Sequence, residues 1–83
     1  MTRSLYLSKW TFITGLTKDE ETFLRDRFPE SESDKTLYIE TDRLAEIEAE
    51  LTKAEKKQFA NLIAILKDKL KENDGDMSVG IGN

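Results

Sequence analysis

The chain contains no histidine and no cysteine. Without histidine it lacks the one side chain whose ordinary pKa lies near neutral pH, so His-based general-base catalysis and Ser-His pairs fall away. Without cysteine there is no thiolate nucleophile, no Cys/His zinc site and no disulfide. Glycine is scarce, and its four positions match neither a phosphate-binding loop nor a dinucleotide fingerprint. The serines have no basic partner in a Ser-x-x-Lys arrangement. The close carboxylates Glu30, Glu32 and Asp34, and Asp74 with Asp76, do not follow calcium-loop spacing. The expectation is a protein that is not an enzyme, with no catalytic residue, no metal and no cofactor.

Long apolar runs are missing as well. The longest, Leu62 to Leu66, is far below the roughly 20 residues that cross a bilayer. No signal-like apolar segment follows the first residues. A cytoplasmic protein without membrane contact is expected.

What is present is charge, and it is unevenly spread. The net charge is −4. Residues 17–50 hold twelve acids against five bases, whereas 51–72 hold six lysines against three acids. Such segregation predicts distinct charged faces. Hydrophobic and charged residues are nearly balanced, at 37% and 36%, but the large apolar side chains recur at helix and strand spacing, which argues for a folded domain. A chain of 83 residues is one small domain that buries about 60–65% of its unfolded surface, so self-association is a natural source of added stability.

Residues 5–14 are rich in aromatic and β-branched types and read as a strand. Its alternation changes phase between Leu5/Leu7 and Trp10/Phe12, which a bulge or a bend near Ser8–Lys9 would reconcile, a strand buried on both faces being the alternative. Thr17–Lys18–Asp19–Glu20 reads as a capping box, opening a helix over about 18–28 that Pro29 stops. Residues 36–41 read as a short strand. Thr41 or Asp42 then caps a helix with the stripe Leu44, Ile47 and Leu51. A second capping box, Thr52–Lys53–Ala54–Glu55, starts a last helix to about residue 72, with Phe59, Leu62, Ile63, Leu66 and Leu70 on one side.

The predicted fold is α+β, a small single domain ordered β-α-β-α-α, with a two- or three-stranded sheet packed on helices. Its compact part is residues 1–72, and 73–83 is a flexible tail containing three of the four glycines, in which the alternation of Met77, Val79 and Ile81 allows a strand only with a partner to pair with. The expected core comprises Trp10, Phe12, Phe23, Leu24, Phe28, Leu37, Ile39, Leu44, Ile47, Phe59, Leu62, Ile63 and Leu66.

Two charged sets are candidate binding surfaces. Asp19, Glu20, Glu30, Glu32, Asp34, Glu46 and Glu50 form an acidic set suited to another protein with a basic surface. Small acidic proteins of phage and mobile elements block nucleic-acid-handling enzymes in this manner, and by analogy of size and charge an inhibitor of that kind is the expected function. The alternative set is Lys53, Lys56, Lys57, Lys67 and Lys71, suited to direct nucleic-acid binding by a small regulator. A third expectation is an oligomeric structural or assembly subunit, formed through a helix face or by edge pairing into a homodimer.

Overall fold

The computed structural model describes residues 3–7, 11–33 and 35–82. They form strands β1 (Arg3–Leu7) and β2 (Thr11–Leu16), helix α1 (Lys18–Arg27), strand β3 (Leu37–Glu40), helices α2 (Thr41–Glu50), α3 (Lys53–Gln58) and α4 (Ala60–Glu72), and strand β4 (Asp76–Gly82). The class is α+β as expected, but the sheet has four strands in the order β2-β1-β4-β3, with every neighbouring pair antiparallel.

The predicted capping boxes are both formed. The Glu20 N–H donates to the Thr17 hydroxyl at 3.1 Å and the Thr17 N–H to the Glu20 carboxylate at 2.9 Å. Thr52 and Glu55 repeat the arrangement at 3.2 and 2.9 Å. Each satisfies donors that the first helical turn would leave unpaired. The expected cap of α2 is not made: the N-cap is Glu40 without a side-chain bond, and the Thr41 hydroxyl donates instead to the Gly75 carbonyl at 3.0 Å.

The structure corrects the sequence reading in three further places. The expected first strand is two strands of a hairpin, and its change of phase falls between them. The predicted bulge site, Ser8–Lys9, lies outside the described residues, as does Trp10; the register irregularity that is seen falls between Leu5 and Tyr6 on β1, opposite Ile13. The last helix is two helices. Phe59 leaves helical geometry at φ −103° and ψ 12°, and its ring stacks on Phe23 with centroids 4.4 Å apart.

The largest correction concerns the C-terminal segment. Residues 76–82, expected as part of a flexible tail, form β4, which pairs with both β1 and β3. Asp74 at φ 59° and Gly75 at φ 97° reverse the chain after α4, with the Gly75 N–H donating to the Leu70 carbonyl at 2.8 Å. Only glycine holds the second of these conformations without strain. Met77, Val79 and Ile81 then alternate onto the helix-covered face, the period a half-buried strand requires.

One cluster of apolar side chains fills the space between sheet and helices. Leu5, Leu16, Leu37, Ile39, Met77 and Val79 supply the sheet side. Phe23, Leu24, Leu44, Ile47, Leu62, Ile63, Leu66 and Leu70 supply the helix side. Among the described residues no polar or charged side chain is buried, so the core is held by apolar burial alone. Phe12, expected there, is 58% exposed.

Candidate docking surface

The helices cover one face of the sheet, and the opposite face is open. Its residues are Ser4 and Tyr6 of β1, Phe12 and Gly15 of β2, Tyr38 and Glu40 of β3, and Asp76, Ser78, Gly80 and Gly82 of β4. Cross-strand registers place them in rows: Tyr6 lies between Phe12 and Gly80, Ser4 between Gly15 and Gly82, and Tyr38 beside Ser78. An open antiparallel face is ordinarily polar. This one instead carries three aromatic rings around a floor of glycine and serine.

Among the described residues the exposed large hydrophobic side chains are Phe12 and Tyr38, the latter 41% exposed, and both stand on this face. Tyr6 meets Phe12 edge to face with centroids 6.1 Å apart, which fixes two of the rings against each other. Without a Cβ at Gly80 and Gly82 the floor between the aromatics stays low, and nothing lies within 4 Å of where a side chain would begin.

The charges on this face are all negative among the described residues. Glu40 and Asp76 are cross-strand neighbours, and both are exposed. The Tyr38 hydroxyl is held above its ordinary pKa, chiefly because neighbouring atoms displace water from it. The charges of Asp76 and Glu40, and the bond it donates to Asp76, add to the effect. Glu55 is the opposite case. Its carboxylate is held below the usual range by accepting the Thr52 N–H and then by the Thr52 hydroxyl, which is a capping role.

The sequence-predicted acids stand at both ends of α1 and along α2. Asp19 and Glu20 lie in the first turn of α1, whereas Glu30 and Glu32 lie past its other end, a helix of 10 residues or about 15 Å away. Glu46 and Glu50 stand on α2, and Asp34 lies outside the described residues. Most of the set already has partners. Asp19 accepts from Gln58 at 3.2 Å, Glu20 closes its capping box, and Glu30 binds Arg25 at 2.8 Å. Glu46 meets Arg43 at 3.7 Å and Glu50 meets Arg27 at 3.8 Å.

The alternative lysines spread over α3 and α4. Lys67 bonds Glu48 of α2 at 2.7 Å, while Lys53, Lys56, Lys57 and Lys71 have no ion pair among the described residues. Lys67 and Lys71 share their groove with Glu48, Asp68 and Asp74, so the lysine row is interrupted by carboxylates where it would meet a phosphate backbone.

Among the described residues no group of three or more potential ligands could hold a metal ion, and no helix is long and apolar enough to cross a membrane. Sequence reasoning missed the open face because it placed Phe12 in the core. The alternation of Met77, Val79 and Ile81 allowed a strand in the tail, but not its pairing with β1 and β3, which completes this face. The arrangement defines a small α+β domain with helices on one side of an antiparallel sheet and an aromatic, acidic surface on the other. No family model, curated protein or solved structure matches the chain.

Proposed function

We propose that this protein is a non-enzymatic interaction module that docks a basic surface of another protein onto the open face of its sheet. The observation that carries this reading is the coincidence of Phe12, Tyr38 and Tyr6 with Glu40 and Asp76 on one helix-free face. Aromatic side chains bury much area at small entropic cost and anchor interfaces. Carboxylates beside them select a cationic partner and steer its approach. This keeps the expected partner chemistry but moves the contact from the dispersed acids of α1 and α2 to the sheet. A regulatory or inhibitory role toward a nucleic-acid-handling protein is consistent with a partner of that charge.

Packing of this face against the same face of a second copy is disfavoured. It would bury Glu40 and Asp76 with no cation of the same surface to meet them among the described residues. The test is affinity capture from the native host with three baits: the wild type, Phe12→Ser combined with Tyr38→Ser, and Lys67→Glu combined with Lys71→Glu. The expected result is a partner lost at least tenfold with the first pair of changes, retained with the second, and released by salt. A partner that survives the sheet-face changes, or one that leaves only with the lysine changes, would refute the proposal.

A further inference from the structure

The two edges of the sheet are not equivalent. On the β3 side the chain covers its own edge. Glu30 forms a bridge with Leu37, the Tyr38 N–H donates to the Pro29 carbonyl at 3.0 Å, and the Ser31 N–H donates to the Thr36 carbonyl at 2.8 Å. No described segment pairs with β2 on its outer side. Each of the other strands carries a charged residue, namely Arg3, Glu40 and Asp76, whereas Thr11–Phe12–Ile13–Thr14–Gly15–Leu16 has none. Edge strands are normally guarded by charge, by proline or by a covering segment. Of these β2 has neither charge nor proline, and its cover is absent among the described residues.

We infer that β2 is an association edge for a second copy of this chain, pairing antiparallel with its own counterpart about a two-fold axis between Ile13 and Thr14. The irregularity in β2 makes the strand self-complementary. Phe12 pairs with Tyr6 and Gly15 with Ser4, so both stand on the open face. Thr11 pairs with Leu7 and Leu16 with Arg3, so both stand on the covered face. In a regular strand residues 12 and 15 would point to opposite faces. Because Ile13 is the extra residue, a two-fold there sets Phe12 across from Gly15 of the partner copy, and Thr11 across from Leu16, with faces matched.

The pairing suits the residues. The Phe12 ring would lie over a glycine, which lacks a side chain to cover the strand itself, and nothing but the Arg3 carbonyl at 4.0 Å approaches Gly15 where a Cβ would stand. The half-buried Ile13 would gain cover beside the edge. A contact between uncharged strands also avoids the like-charge repulsion that most of this acidic surface would impose. The product is an eight-stranded sheet with helices on one side and an open face of twice the width. This inference is independent of the docking proposal, since a monomer could equally present that face.

A contact one strand wide is of the weak class, so sedimentation is followed up to about 1 mM protein. The mean mass is expected to rise from 9.6 kDa towards twice that value, and Thr11→Lys with Thr14→Lys to hold it at the monomer. The register is read by cross-linking, which the lack of native cysteine makes clean. Phe12→Cys with Gly15→Cys in one chain is expected to form a covalent dimer under mild oxidation, at least tenfold more than either single change. Residues three apart on one strand are too distant to bridge within a chain. A wild-type chain that stays monomeric throughout would overturn the inference. Association unaffected by the lysine changes, or single cysteines that cross-link as well as the pair, would do the same.

Discussion

The two faces of this sheet are built from the same strands, residue by residue in alternation, and have opposite characters. Ile39 is fully buried beneath the helices, while its neighbour Tyr38 stands in solvent. Val79 is fully buried between Leu7 and Leu37 in the register, while its neighbours Ser78 and Gly80 leave the other surface bare. One face is occupied by the chain's own helices. The other leaves Phe12 and Tyr38 in solvent. On the reading proposed above, the large apolar side chains of Phe12 and Tyr38 outside the core are anchors for a partner.

Removing the strand that serves both faces should have the greatest consequence. Deleting residues 76–83 takes away Met77 and Val79, whose burial contributes roughly 3–6 kcal/mol at about 1.5–3 kcal/mol per side chain. It also leaves β1 and β3 without their shared neighbour. The expected outcome is loss of cooperative thermal unfolding by circular dichroism, because small domains hold only a few kcal/mol in reserve. A truncated chain that melts at the wild-type temperature would mean that the segment contributes nothing, as the reading of a flexible tail implied.

A finer cut separates the faces at adjacent positions of one strand. Ile39→Ala should cost about 2–5 kcal/mol in denaturant unfolding, since it leaves a cavity in a closed core. Tyr38→Ala should cost about 1 kcal/mol or less, because the ring is exposed and loses only cross-strand contact and its bond to Asp76. Binding should follow the reverse order, with the tyrosine change removing the partner and the folded fraction of the isoleucine variant retaining it. Equal costs at the two positions would erase the distinction between the faces.

The features legible in the sequence were those set by near neighbours. Thr17 with Glu20, and Thr52 with Glu55, announce helix starts because the donors they satisfy lie three residues away. The stripes Leu44–Ile47–Leu51 and Leu62–Ile63–Leu66 announce buried helix sides because their period is local. What could not be read depends on distant partners. β4 becomes an inner strand because Met77 finds Ile39 and Val79 finds Leu7 and Leu37, and nothing within residues 73–83 specifies those pairings. Turning Phe12 outwards likewise depends on which residue of β2 is the extra one opposite β1. The ion pairs of the acidic set could not be read for a related reason. A count of charge along the chain does not see Arg25, Arg27 and Arg43 folding back onto Glu30, Glu50 and Glu46.

On the open face alone, the titration of one tyrosine reads whether its aromatic and acidic parts act on each other. Tyr6→Phe leaves Tyr38 as the single tyrosine, so tyrosinate absorbance then reports that hydroxyl directly. Its midpoint should lie above the ordinary value of about 10, and Asp76→Asn should bring it down by removing a negative charge and a carboxylate acceptor beside the hydroxyl. Since the folded-state value is the raised one, the stability linked to this group is complete below the unfolded value. It is lost as pH climbs through the folded one. The alkaline decline in stability should therefore be shallower in Asp76→Asn than in the Tyr6→Phe parent. An identical Tyr38 midpoint in both chains would show that the carboxylate does not act on the ring, and the aromatic and acidic halves of this surface would then be unconnected.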